Sequence, residues 1–274
     1  MAENTSSEIK KAVLVVSFGT THMDTLEKTI EPMEEDVRKA YPEYEVRRAF
    51  TSGIIRKILN KRDGIATESP EEALAHLKED GYREVEILPF IIMPGKEYDG
   101  ILRTFYRFLD DKTFDSLKIG RPLLYSHEDF ENLIGILKEN CPAKSEEEAC
   151  VLMGHGSYHP GNACFSQLQS MTEKEGITNI HIGTVEGYPE LSDVINKLKG
   201  KGYKKLHLMP LMLVAGDHAK NDMAGDDEDS WNSALKSEGY ETEVHLVGLG
   251  ENEKIRSLFV ERMKEGVKPR HHHH

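Results

Sequence analysis

The chain has three cysteines in 274 residues, a single tryptophan, and no apolar run of membrane-spanning length. Each scarcity excludes something. Cys141, Cys150 and Cys164 are odd in number and show no C-x-x-C spacing, which argues against a disulfide framework or a structural zinc site and for reduced thiols. No stretch approaches the roughly 20 apolar residues that cross a bilayer. The start, M-A-E-N-T-S-S-E-I-K-K, lacks an apolar signal core, so a cytoplasmic protein with no membrane partner is expected. Basic clusters are also missing: the net charge is −13, which speaks against nucleic acid and against an anionic membrane surface. A small polyanionic ligand stays open, because an acidic protein can still hold a local basic pocket. Neither G-x-G-x-x-G nor G-x-x-x-x-G-K-[ST] occurs, which disfavours nicotinamide or ATP as a cofactor. H-E-x-x-H and G-x-S-x-G are absent too, which removes the zinc-protease helix and the hydrolase elbow.

What is present is a regular alternation of strands and helices. With 38% apolar and 30% charged residues, the composition is that of a globular protein with a substantial core. Ala12 to Phe18 reads as a buried strand followed by a helix through Leu26, Ile30, Met33 and Val37. Tyr44 to Phe50, Val85 to Ile92 and Leu117 to Leu123 continue the strands of the first half. Ser69-Pro70-Glu71-Glu72 is a strong helix start, with an N-cap, proline at the first position and acids in the first turn. From His127 the pattern restarts, with strands at Ala149 to Met153, Ile180 to Val185, Leu208 to Ala215 and Glu243 to Leu249. Such alternation implies parallel sheets joined by right-handed crossovers. The expected fold class is α/β, with two similar domains over 10–126 and 127–268, each a mostly parallel sheet flanked by helices. His271 to His274 read as a tag remnant.

The two halves resemble each other. V-L-V-V-S-F-G-T-T parallels C-V-L-M-G-H-G-S-Y, which sets Phe18 against His155. G-Y-R-E-V parallels G-Y-K-K-L, and after the strands that follow, M-P-G-K-E-Y-D parallels V-A-G-D-H-A-K, which sets Glu97 against His218. Phe50-Thr51-Ser52-Gly53 corresponds to Val185-Glu186-Gly187. A duplication of this kind places the halves across a cleft, about a pseudo-twofold axis.

Glu97, His155, Glu186 and His218 all fall at carboxyl ends of predicted strands, where open α/β sheets bind ligands. Two imidazoles with carboxylates suit a divalent first-row metal such as cobalt, nickel, iron or zinc. An incomplete protein ligand set leaves positions open for exchange. Around His218, Asp217 and Asn221 read as residues that shape the site. The acidic run Asp226 to Asp229 reads as an acid cluster at a helix N-terminus.

The segments L-V-V-S-F-G-T, R-A-F-T-S-G-I-I, M-G-H-G, V-E-G-Y-P-E and H-L-M-P-L-M-L-V-A-G-D-H-A-K-N-D-M with D-D-E-D-S-W resemble the anaerobic-type sirohydrochlorin cobalt chelatases. These are class II chelatases with a ferrochelatase-like fold, and the resemblance runs from Lys10 to about Met263. It implies two chelatase-like domains around a cleft, and insertion of Co2+ into sirohydrochlorin or its oxidised precursor form without ATP, with release of two protons. The metal is then a substrate, and the partners are the tetrapyrrole and Co2+. The resemblance assigns metal binding to His155, Glu186 and His218, and catalysis to His155, Glu97 and His218, with His155 accepting a proton and Glu97 taking or relaying protons. Arg48, Arg56, Lys57, Lys96 and Lys220 are candidates for the substrate carboxylates, although a solvated surface role fits each as well. Phe18, Tyr98 and Tyr188 are candidates for ring contact, and His159 for assisting His155. His181, His207 and His245 lie inside strands and read as core or surface residues; His22 belongs to a helix start. Iron or nickel insertion, a non-catalytic metal or tetrapyrrole carrier, and a homo-oligomer all stay open.

Overall fold

A computed structural model describes residues 9–265. The tag remnant 271–274, the end of the second half at 266–268 and the first eight residues lie outside the described residues.

Two four-stranded parallel sheets form the frame. The first holds β1 (Lys11–Ser17), β2 (Tyr44–Phe50), β3 (Glu84–Pro89) and β4 (Ser116–Ile119) in the order β2-β1-β3-β4. The second holds β5 (Glu148–Gly156), β6 (Ile180–Glu186), β7 (Lys205–Pro210) and β8 (Glu241–Val244) in the order β6-β5-β7-β8. The order is the same in both sheets. Register agrees with the sequence parallel: Val16 pairs with Pro89 in one sheet, and Met153 with Pro210 in the other. Counting forward two residues from Val16 and Met153 sets Phe18 against His155; counting eight from the two prolines sets Glu97 against His218.

Helices cover both faces. In the first half α1 (Met23–Thr25) passes through a π-helical turn, Leu26–Ile30, into α2 (Glu31–Ala40). It is followed by α3 (Gly53–Asp63), α4 (Pro70–Glu79) and α5 (Lys96–Asp110). The expected start of α4 is a full capping box: Ser69 accepts from the Glu72 amide, and the Glu72 carboxylate accepts from the Ser69 amide. In the second half come α6 (His127–Asn140), α7 (Ala163–Lys174), α8 (Leu191–Leu198), α9 (Trp231–Ser237) and α10 (Glu253–Glu265). Helix α10 reaches back onto the first half, where Arg256 Nε donates to Asp36 of α2 at 2.6 Å. Buried Arg262 donates to the Pro122 and Leu123 carbonyls at 3.2 and 2.8 Å and pairs with Asp129 of α6 at 3.0 Å. One apolar core therefore runs through Val15, Leu88, Phe130, Leu152, Leu213 and Phe259, elements of both halves.

Four expectations are corrected. The apolar run Leu208 to Ala215 is not one strand. Pro210 has no N–H to continue the ladder, and Leu211 to Ala215 bends while staying buried at Leu211, Leu213 and Ala215. Its Met212 and Leu213 carbonyls accept instead from Leu249 and Gly250, so the expected strand Glu243 to Leu249 also stops early, at Val244. Cys141 and Cys150 are joined in a disulfide across a Cα–Cα distance of 6.3 Å, where spacing alone argued for reduced thiols. The turn between α6 and β5 brings them into bonding range, and that proximity is invisible in linear spacing. The acidic run Asp226 to Asp229 precedes α9 rather than opening it: Ser230 is the N-cap, and no acid lies in the first turn.

Candidate active site

His155 is the next-to-last residue of β5, at its carboxyl end. Gly156 follows with φ +76°, and a Cβ there would stand 1.7 Å from the Glu186 carbonyl oxygen of neighbouring β6. Only glycine lets the two strand ends approach so closely. His218 follows the bend after β7 and precedes a π-helical turn, Ala219–Met223, a geometry often found at functional sites.

These two elements bring the imidazoles together. Nε2 of His155 lies 3.0 Å from Nε2 of His218, with the rings perpendicular and their centroids 4.3 Å apart. Both outer nitrogens are occupied: His155 Nδ1 donates to the Gly156 carbonyl at 2.9 Å, and His218 Nδ1 donates to Asp222 Oδ2 at 2.5 Å. With each Nδ1 carrying its proton, the two Nε2 atoms present lone pairs to each other. Such a contact repels unless a proton or a metal ion joins it. Metal–imidazole bonds of about 2.1 Å to nitrogens this far apart subtend about 90° at the ion, the angle of a cis pair.

Glu186 ends β6 and is exposed; Glu97 stands in the first turn of α5 and is half-buried. The structure brings together the two histidines. It does not draw either glutamate into contact with them, and neither side chain makes a hydrogen bond or ion pair among the described residues. Among the described residues neither the Asp217 nor the Asn221 side chain hydrogen-bonds to His218. Asp217 accepts from His22 Nε2 at 2.6 Å, and the partner of His218 is Asp222. The signal for Asp222 was its i+4 spacing from His218 in sequence.

Across the mouth, residues of one half meet residues of the other. His22 meets Asp217, Lys220 Nζ lies 3.4 Å from Asp24 Oδ2, and His159 Nε2 lies 3.1 Å from Asp99 Oδ2. His159 thus serves as a link between halves, and His22 is more than a helix start. An acidic hollow lined by Asp222, Asp227, Glu228 and Asp229 opens beside His218.

A model of the family "Cobalt chelatase (CbiK)" matches residues 11–268. The chain belongs to the cobalt chelatase family. It is 42% identical to a sirohydrochlorin cobaltochelatase of Salmonella typhimurium over 94% of this chain and 97% of that one. It is 32% identical to a sirohydrochlorin cobaltochelatase of Nitratidesulfovibrio vulgaris over 94% and 91%. In fold it resembles SirB from Bacillus subtilis, with a TM-score of 0.62 at 14% identity, covering 94% of this chain and 95% of that one. It also resembles CbiX, a terminal enzyme of sirohaem biosynthesis in denitrifying bacteria, with a TM-score of 0.54 at 17% identity, covering 94% and 100%. No described helix is long and apolar enough to cross a membrane.

In this member of the cobalt chelatase family the strand ends also carry exposed apolar side chains: Phe18 after β1, Ile54 in the first turn of α3, Tyr158 after β5 and Tyr188 after β6. Tyr188 is 61% exposed and available to a ring, whereas Tyr98 is 2% exposed and donates its hydroxyl to the Gly120 carbonyl at 3.1 Å. Tyr98 is a core residue. Burial raises its pKa far above the ordinary tyrosine value. Of the basic candidates, Arg48 is held by Glu34 at 2.6 Å, Arg56 by Glu72 at 3.1 Å, and Lys220 by Asp24. Lys57 and Lys96 are exposed and form no ion pair among the described residues.

Proposed function

We propose that the chain inserts Co2+ into sirohydrochlorin, in the cleft between halves 10–126 and 127–268. The observation that carries this reading is the Nε2–Nε2 contact of 3.0 Å between two histidines whose outer nitrogens are already engaged. That arrangement offers a cation two adjacent ligands and leaves the rest of its coordination shell to solvent and substrate. The names of the two relatives support cobalt and sirohydrochlorin as substrates.

In the proposed reaction His155 and His218 hold Co2+ at the cleft, with Glu186 reaching in from the end of β6. The macrocycle lies against the apolar side chains of Phe18, Ile54, Tyr158 and Tyr188. Its acidic substituents face Lys57 and Lys96. Two pyrrole N–H protons leave as the metal enters, so the exchange conserves charge. His155 accepts one proton on Nε2 as that nitrogen gives the metal up to the ring, and Glu97, half-buried and without a side-chain partner among the described residues, takes or relays the other. Asp222 keeps the His218 proton on Nδ1 and so keeps Nε2 a ligand. The reaction uses neither ATP nor a nicotinamide and runs in the cytoplasm.

The test is an anaerobic multiple-turnover assay with sirohydrochlorin and Co2+, Fe2+ or Ni2+, followed by tetrapyrrole absorption. Many equivalents converted, fastest with Co2+, is the expected result. Conversion that stops at one equivalent per chain would make the protein a carrier.

A further inference from the structure

The second sheet contains another pair of imidazoles in nitrogen-to-nitrogen contact. His207 lies in the middle of β7, in register with Cys150 of β5 on one side and Glu243 of β8 on the other. His207 Nδ1 stands 3.0 Å from His245 Nε2, the same separation as in the cleft pair. Glu243 completes the group: its Oε2 is 3.8 Å from His207 Nδ1, and its Oε1 is 3.6 Å from His245 Nε2. Among the described residues this is the one group that brings three ligand atoms within 4.8 Å of one another.

We propose that His207, Glu243 and His245 form a second binding site for a divalent transition metal, such as Zn2+ or Co2+, separate from the cleft.

The surroundings favour a ligand set over a plain buried histidine. His207 is 4% exposed, and its Nε2 lies 3.1 Å from Glu148 Oε2. Donation of Nε2–H to that carboxylate fixes the tautomer and turns the Nδ1 lone pair toward His245, the carboxylate–histidine–metal arrangement of known metal sites. Glu148 is itself anchored by the Lys144 amide at 3.0 Å. Lys205 Nζ holds Glu243 Oε2 at 2.6 Å and leaves Oε1 for an ion. A mixed imidazole and carboxylate set matches borderline cations.

Position separates this group from the cleft. Cys150, the β5 partner of His207, precedes His155 by five residues, about 16 Å along a strand at ~3.3 Å per residue. Glu243 and His245 both belong to the edge of the sheet, at β8 and just beyond it. An ion bound there ties this short edge strand to β7 and, through Glu148, to β5.

The experiment uses the full chain without His271 to His274, which would themselves hold metal, carrying His155→Ala and His218→Ala to silence the cleft. Titration with Zn2+ by calorimetry, and with Co2+ by its visible absorption, is expected to show one equivalent bound. Adding His245→Gln or Glu243→Gln, both at partly exposed positions, is expected to weaken binding at least about tenfold, and Glu148→Gln by about 10- to 100-fold. With the cleft intact, His245→Gln is expected to keep its rate of cobalt insertion. The proposal is overturned if the cleft-silenced chain binds no stoichiometric ion, or if both His245→Gln and Glu243→Gln bind as tightly as their parent. It is also overturned if His245→Gln abolishes insertion while folded, since the group would then belong to the reaction.

Discussion

Replacing His181 with leucine is expected to stabilise the protein and to blunt its sensitivity to acid. His181 is the second residue of β6 and is 4% exposed. Neither ring nitrogen has a hydrogen-bond partner among the described residues, and the ring stands edge-to-face with Tyr203, the centroids 5.6 Å apart. Burial, aided by the positive charges of Lys197 and Lys201 and opposed by Glu173, lowers its pKa to about 4. The folded state therefore binds this proton more weakly than the unfolded chain, whose histidine titrates near ~6.5. Stability is fully present above that unfolded value and is lost as pH falls toward the folded one. At about 1.4 kcal/mol per pKa unit the whole loss is ~3 kcal/mol, of which about 2 kcal/mol falls between pH 7 and pH 5. Leucine removes the titration, and it also removes buried donor and acceptor atoms that cost about 1–3 kcal/mol when unsatisfied. Urea unfolding at both pH values checks this. His181→Leu should be at least as stable as the parent near neutrality, and should lose about 2 kcal/mol less on acidification. Equal losses in the two proteins, or a destabilised variant at pH 7, would refute the reasoning.

Three further outcomes follow from individual contacts. Asp222→Asn exchanges the carboxylate on His218 Nδ1 for an amide and should weaken Co2+ binding and slow insertion by about 10- to 100-fold with the fold intact, as read from initial rates and circular dichroism. Gly156→Ala puts a methyl 1.7 Å from the Glu186 carbonyl at a φ of +76°, so the strand ends must part; insertion should collapse and the urea midpoint should fall. Cys141→Ala opens a disulfide that closes a separation of nine residues and should cost about 2.5 kcal/mol in urea unfolding, the same loss that a reductant causes in the parent.

The fold was largely legible because its signals are local and repeated. Buried β-branched runs marked β1 and β5, Ser69-Pro70 marked the start of α4, and the parallel of Glu97 with His218 is reproduced by strand register. The limits of legibility are equally physical. Pro210 breaks a run that hydropathy reads as continuous, and the bend it allows is held by the amides of Leu249 and Gly250, far along the chain, which donate to the Met212 and Leu213 carbonyls. The pairing of Cys141 with Cys150 depends on how a turn folds. For the candidate site, the strand-end rule found both histidines that meet. The links between halves, His22 with Asp217 and His159 with Asp99, depend on how two sheets face each other, and no periodicity encodes that. The cluster around His207 was hidden for the same reason: its members lie in β5, in β7 and at or just past the end of β8, and taken singly in sequence the two histidines read as core or surface residues.

The central claim is that His155 and His218 together hold the metal that is inserted. It is tested most directly by measuring initial rates of Co2+ insertion into sirohydrochlorin, anaerobically, for the parent, His155→Ala and His218→Ala, with thermal unfolding recorded on each. Both positions are at least partly exposed, so both variants should unfold within a few degrees of the parent. Loss of insertion in each, with the fold preserved, is the predicted result. Near-parental rates in either folded variant would contradict the account.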